Sequence, residues 1–255
     1  MLFRSDLDLV KGGPSSRRRY LDDLLVALHA RNDALRRDLE RILRQRTALL
    51  RDCGGRLSPA LAPTLDVWDS KLATVGDALG RARADLVDRL APALAAAYAG
   101  IAGPDARPVG MAYEAPWRDG GLAAALVASR PEELRRGVCL VGPHRDELTL
   151  TVSGMPARTH ASQGEQRSLA LGLRLAGHRV VGETLGESPV LLLDDVFSEL
   201  DDTRSQALLD HLPPGQAILT TTGAIPPAAA PDLVVEATTA HLTPRPSGAH
   251  QRRPA

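Results

Sequence analysis

From Leu21 onward the apolar residues fall at Leu21, Leu24, Leu25, Leu28, Leu35, Leu39, Ile42, Leu43 and Leu50, with polar and charged residues between them. Steps of three, four and seven put these side chains on one face of a helix. The spacing predicts one amphipathic helix that follows the turn Lys11-Gly12-Gly13-Pro14, opens on Ser15 or Ser16 as cap, and stops near Cys53-Gly54-Gly55. A second run, Leu61, Leu65, Trp68, Leu72, Val75, Leu79, Leu86, Leu90, Leu94, Tyr98 and Ile101, predicts another long helix. Gly76 and Gly80 weaken it, and Pro92 is expected to kink it. Two long helices joined by a short turn lie antiparallel, so residues 15–102 read as a helical arm.

After Gly103-Pro104 the period changes. Strands are expected within 108–117, at 138–141, 148–152, 157–160, 190–193, 217–222 and 233–236, with Ser153-Gly154 turning a hairpin between the third and fourth. Helices are expected at 122–127, 131–136, 163–182 and 203–211. Strand alternating with helix predicts an α/β fold with a largely parallel sheet over 103–243. Beyond Thr243 the chain is rich in Pro, Arg and Ser, and residues 244–255 are expected to be disordered. No internal repeat is present.

Composition narrows the picture. Lys plus Arg and Asp plus Glu are 31 each, so no global field draws nucleic acid. Residues 15–51 nevertheless hold ten arginines against five acids, a local excess that fits either a solvated helix face or a polyanion. Two cysteines, Cys53 and Cys139, in no metal-type spacing suit a reducing cytoplasm. No run approaches the roughly 18 apolar residues of a membrane span, and Met1-Leu2-Phe3-Arg4-Ser5 leads into charge rather than into a signal peptide.

The chemistry gathers in two segments. Val190-Leu191-Leu192-Leu193 is an apolar strand expected to be covered on both faces, and Asp194 and Asp195 leave its carboxyl end, where open α/β sheets bind ligands. Asp194 is placed to hold Mg²⁺, a hard cation that takes oxygen ligands. Asp195 is placed to orient or deprotonate an attacking water. The plain alternative is an acid pair that caps the next turn. Ser162-Gln163-Gly164-Glu165-Gln166 puts a hydroxyl and a glycine at a helix start, where free N–H groups and the dipole attract phosphate. The same residues make a capping box, with Ser162 as cap and Glu165 three on. Asp201, after Ser198-Glu199-Leu200, is equally a helix cap.

In combination, Gly142-Pro143-His144-Arg145-Asp146, Ser162 to Arg167 and Leu191 to Asp201 resemble the RecF family of bacterial DNA replication and repair proteins. Pro14 with Arg17-Arg18-Arg19, the stretch Leu43 to Leu50, and Thr220-Thr221-Thr222 extend the resemblance over nearly all of residues 1–243. It implies an SMC-like ABC ATPase head of the P-loop type with an inserted helical arm. Residues 1–14 would be a remnant of the N-terminal head lobe, 15–102 the arm, and 103–243 the C-terminal lobe. ATP and Mg²⁺ would be clamped between two heads of a homodimer. Ser162, Gln163, Gly164, Glu165 and Gln166 would form the signature, with Ser162, Gly164 and Gln166 reaching the other head's γ-phosphate; Asp194 would hold the metal, Asp195 would serve as the base and Asp201 would signal across the interface. Implied partners are single-strand/double-strand DNA junctions and mediators of the RecO and RecR type, with no membrane. Arg17, Arg18, Arg19 and Arg145 are candidate DNA contacts.

One part of that machine is not in the sequence. The lysines are Lys11 and Lys71 alone, and neither follows a G-x-x-x-x-G-K-[ST] loop. About one hundred residues bearing that loop are expected ahead of Met1 in the family pattern, so this chain reads as an incomplete head that does not hydrolyse ATP by itself. Exposed sheet surface would make it marginally stable or prone to aggregate, since burial is worth on the order of 25 cal/mol per Å². The alternative is a nucleotide-independent module, a degenerate head plus arm that binds DNA or a repair partner.

Overall fold

The computed structural model describes residues 6–237 and 242–246. Helix α1 (Leu7–Lys11) leads to α2 (Pro14–Leu28), whose proline occupies the first turn, where its missing N–H costs nothing. The single helix expected to run to Cys53 is two. Helix α2 ends at His29, in extended conformation, and α3 (Asn32–Asp52) restarts. No apolar residue but Ala30 and Ala34 lies between Leu28 and Leu35, and Asn32 Nδ2 donates to Leu25 O at 2.7 Å, closing the last turn of α2. Gly54 and Gly55, at φ 56° and 89°, end α3 as expected.

Helix α4 (Ala62–Ala102) runs through Pro92 without interruption. Its glycines serve contact rather than softness. A Cβ on Gly76 would strike Leu122 and Pro143, and one on Gly80 would lie 2.5 Å from the Trp117 ring. Leu72, Leu79, Leu86, Leu90 and Leu94 of α4 join Leu21 and Leu25 of α2, and Leu169 and Leu173 from further along the chain, in the main core.

Strand β1 (Val109–Glu114) pairs antiparallel with β2 (Glu147–Val152), and β3 (Met155–Pro156) adds two residues. The turn is Ser153-Gly154, both at positive φ. Residues 157–160, expected as the returning strand, form the short helix α6 (Ala157–His160). Helix α5 (Leu122–Arg136) is continuous where two were expected, with Pro131 inside it. Residues 138–141 form no strand. Their backbone is bound by side chains: Leu140 N–H donates to Glu133 Oε1 (2.7 Å), and Cys139 O accepts from His144 Nε2 (3.2 Å) and Arg145 Nη2 (3.0 Å).

Helix α7 (Gln163–Leu185) packs along α4 and leads to β4 (Leu191–Asp194). Helix α8 (Asp202–Asp210) then connects β4 to β5 (Ala217–Thr220), which pairs parallel with it. This is the one parallel pair among the described strands. The expected largely parallel sheet is corrected by the antiparallel β1–β2–β3 unit and by β6 (Leu233–Ala237) with β7 (Leu242–Pro246). Pro244, Arg245 and Pro246 lie in β7, where the sequence predicts the start of a disordered tail; residues 247–255 of that tail lie outside the described residues. Nor is β4 covered on both faces. Leu191 and Leu193 are buried with Leu171, Leu175 and Leu208, whereas Val190 and Ile218 on the other face are about half exposed.

Candidate functional site

Asp194, the last residue of β4, stands opposite Thr220 of β5. Thr220 Oγ1 donates to Asp194 Oδ1, and Asp194 Oδ2 makes no hydrogen bond among the described residues. Asp195 leaves the strand in the left-handed region (φ 50°), a conformation Asp tolerates better than most residues. Its N–H donates to Thr220 O at 3.0 Å. Ser198 Oγ lies 2.8 Å from Asp195 O and 3.0 Å from its Oδ2. Thr222 Oγ1 is 3.5 Å from Oδ1. A short 3-10 helix, Val196–Glu199, follows, with Asp195 at its cap position. The two carboxylates therefore point from the carboxyl end of a parallel strand pair, ringed by the hydroxyls of Ser198, Thr220 and Thr222.

At the start of α7 the capping box is formed. Glu165 N–H donates to Ser162 Oγ (3.3 Å) and Ser162 N–H to Glu165 Oε2 (2.7 Å). Glu165 is also gripped by Arg107, Nε to Oε1 at 2.6 Å and Nη2 to Oε2 at 2.8 Å. These bonds hold its carboxyl down at about 2, below the ordinary carboxylate range. Gln166 turns inward, 5% exposed, its amide donating to Ala157 O and Arg158 O. A contact between Gln166 and a phosphate, expected from the resemblance, is not offered by this orientation, because the amide is spent on holding α6 beneath the turn. Ser162 and Gln163 remain exposed.

Arg204 is the residue sequence reading missed. A Cβ on Gly164 would lie 2.9 Å from its Nη2, so the guanidinium sits directly over the first turn of α7. Arg204 Nη1 donates to Asp201, and Arg204 Nε is buried without a partner among the described residues. Asp201 caps α8, accepting from Arg204 N–H at 2.8 Å, and that backbone bond first, with the guanidinium beside it, lowers its pKa. Both helix-cap readings are thus realised, and the same Asp201–Arg204 pair joins the segment after β4 to the glycine of the α7 turn. No sequence signal marks a contact forty residues apart.

The basic candidates divide. Arg17 is a correction: it is 7% exposed, with Nε and Nη2 on Glu147 (2.8 and 2.9 Å) and Nη1 on Gly12 O (2.8 Å), so it is not available to DNA. Arg18 is half-buried, with Nη1 on Asp146 O at 2.8 Å. Arg19, exposed, has among the described residues only a 3.8 Å approach to Asp23. Arg145 is exposed, with one nitrogen on Cys139 O. The Gly142–Asp146 segment beneath them is a structural joint. Arg83 of α4 binds Asp22 of α2 through two bonds (2.8 and 2.9 Å) and Pro143 O (2.7 Å), while Asp146 accepts from Tyr113 and from Trp117 Nε1 (2.6 Å). Burial pushes Asp146 up, and burial also holds His144 down at about 4.

Among the described residues no group of three or more His, Cys, Asp or Glu side chains is disposed to hold a metal. No described helix is long and apolar enough to cross a membrane. No family model matches the chain. It is 46% identical over 234 residues to the DNA replication and repair protein RecF of Frankia alni (strain DSM 45986 / CECT 9034 / ACN14a), covering 85% of this chain and 61% of that protein. The solved structure of the recombination mediator protein RecF with ATPrS, in the RecFOR pathway, superposes with a TM-score of 0.82 at 26% identity, covering 95% of this chain and 66% of that one. The corresponding RecF–ATP structure gives 0.75 at 28% identity, covering 88% and 61%. The chain spans between 61% and 66% of the length of these relatives.

Proposed function

Because this chain belongs to the RecF family over the 85% of its length that matches, and has the α/β ABC ATPase-type head fold of the RecF structures, we propose that its Ser162–Gln166 signature, Asp194–Asp195 pair and Asp201 supply one side of an ATP-dependent DNA replication and repair machine. The observation that carries the reading is the junction of three elements. Gly164 at the start of α7 lies under Arg204, Arg204 is tied to Asp201, and Asp201 follows the Asp194–Asp195 pair at the end of β4. The exposed Ser162 hydroxyl and the N-terminus of a 23-residue helix suit the γ-phosphate of a nucleotide held by a second head.

The residues also fit Mg²⁺. Among the described residues one carboxylate oxygen of Asp194 stays clear of hydrogen bonds, and this cation ordinarily takes one or two carboxylates alongside phosphate oxygens. Bound there, the metal would neutralise charge on the phosphates. Asp195, held by Ser198 and Thr222, would accept a proton from water. With only Lys11 and Lys71, neither following a G-x-x-x-x-G loop, the chain is expected to show no ATP turnover alone. In this reading it acts in the cytoplasm as one partner of an ATP-dependent dimer. It binds single-strand/double-strand junctions through Arg18, Arg19 and Arg145, and it works with RecO- and RecR-type mediators to load recombinase.

The test mixes the full chain with Frankia alni RecF, ATP and Mg²⁺ and follows assembly by light scattering. ATP-dependent pairing is expected, and Ser162→Arg, which fills the exposed turn, should abolish it. Pairing indifferent to both ATP and Ser162→Arg favours the second reading, a nucleotide-independent module. The observation on that side is Arg204, which lies across the backbone a phosphate would approach.

A further inference from the structure

The outer face of α3 carries Arg37, Arg41, Arg44, Ala48 and Arg51, all exposed. At 3.6 residues per turn these five lie within about 40° of one line, and the line runs roughly 21 Å along the helix. The opposite face buries Leu39, Ile42, Arg46 and Leu50. Arg37 has Asp33 at 3.2 Å, and Arg41 has Asp38 at 2.8 Å. Arg44 and Arg51 make no hydrogen bond or ion pair among the described residues. Glu40 flanks the line but is drawn toward Arg36, 3.9 Å away. The stripe does not end with the helix. A Cβ on Gly137 would lie 3.2 Å from Arg51 Cγ, so the end of α5 abuts it, and exposed Arg135 and Arg136 stand there, both on Glu132.

We propose that this arginine stripe is a phosphodiester-binding surface, a nucleic-acid track on the arm distinct from Arg18, Arg19 and Arg145. Charge complementarity favours that occupant. A duplex presents about one negative charge per 1.7 Å of axis, dense enough to meet arginines at irregular intervals, and guanidinium forks grip phosphate oxygens in pairs. A protein interface is anchored by buried aromatic or aliphatic side chains, and an anionic membrane is entered by them. The line offers only Ala48. The inference deepens the DNA-binding reading above and rests on it.

The experiment measures binding of the full chain to a fluorescein-labelled duplex by anisotropy, between about 50 and about 200 mM salt. Arg44→Gln/Arg51→Gln, which breaks no ion pair, should flatten the slope of log K against log salt by about 0.9 for each phosphate no longer neutralised and weaken binding more than tenfold at low salt. Adding Arg37→Gln and Arg41→Gln should flatten it further, whereas lysine at all four positions should keep the slope. A folded Arg44→Gln/Arg51→Gln chain with the wild-type slope overturns the inference, and Arg18→Gln/Arg145→Gln then reports whether the junction surface stands alone. Wild-type chain that binds no duplex overturns both. A loss seen on phosphatidylserine vesicles but not on duplex also overturns the stripe.

Discussion

Arg46 is fully buried, yet it is a guanidinium. Asp69 and Glu133 each meet it at 2.6 Å, and Cys139 Sγ lies 3.3 Å from its third nitrogen. Removing one side of a buried, hydrogen-bonded ion cluster strands the other, typically at about 3–5 kcal/mol. Arg46→Ala is therefore expected to lower the unfolding free energy by about that amount in urea titrations. A change under 1 kcal/mol (roughly the scale of an exposed pair) would mean that the cluster is hydrated. Glu165 gives a pH-dependent counterpart. Its folded carboxyl is held at about 2, against 4.5 unperturbed, chiefly by Arg107. The unfolded chain takes up that proton first, so the contribution is whole above pH 4.5 and is lost as pH falls towards 2. The stability difference between wild type and Arg107→Gln should shrink across that window, and a carbon NMR titration should find Glu165 moved up towards its ordinary value in the variant. A difference that ignores pH would detach Arg107 from the capping box.

At the scale of elements, α4 depends on where it has no side chain. Trp117 packs against Gly80 and donates to Asp146, which ties the 142–146 segment to α4. Gly80→Val should push the indole away at an overpacking cost of about 1–3 kcal/mol and shift its fluorescence; an unshifted spectrum with unchanged stability would show that the crossing has slack. Such contacts explain what could be read from sequence. The stripes Leu21–Leu28 and Leu35–Leu50 foretell helices because burial follows their period, but the break between them depends on Asn32 reaching back to Leu25 O. Residues 138–141 look like a strand from their apolar run, whereas Glu133, His144 and Arg145 bind the backbone a neighbouring strand would have paired. In the candidate site, the carboxylates after β4 and the Ser162–Glu165 cap are legible, being local. Arg204 over Gly164 and Arg107 on Glu165 are not, because only the tertiary fold brings them together.

Over the whole molecule, the apolar surface is unevenly finished. Val190 and Ile218 on one face of the β4–β5 pair, with Leu233, Val235 and Leu242 on the β6–β7 ribbon, remain open to water. Strand faces and edges of this kind promote association. Purified chain should therefore self-associate with rising concentration in static light scattering, and Val190→Lys/Ile218→Lys should suppress this. A wild-type chain that stays monomeric at high concentration would show that the open face is harmless.

Helix α4 is 41 residues without a break, about 60 Å of rod. One end packs on the turn-bearing helix, where a Cβ on Gly172 would lie 3.2 Å from Leu94, and the other lies along the arginine-bearing helix. The helix that bears the Ser162 turn and the helix that bears the arginines therefore share one packing partner, and neither surface is built without it.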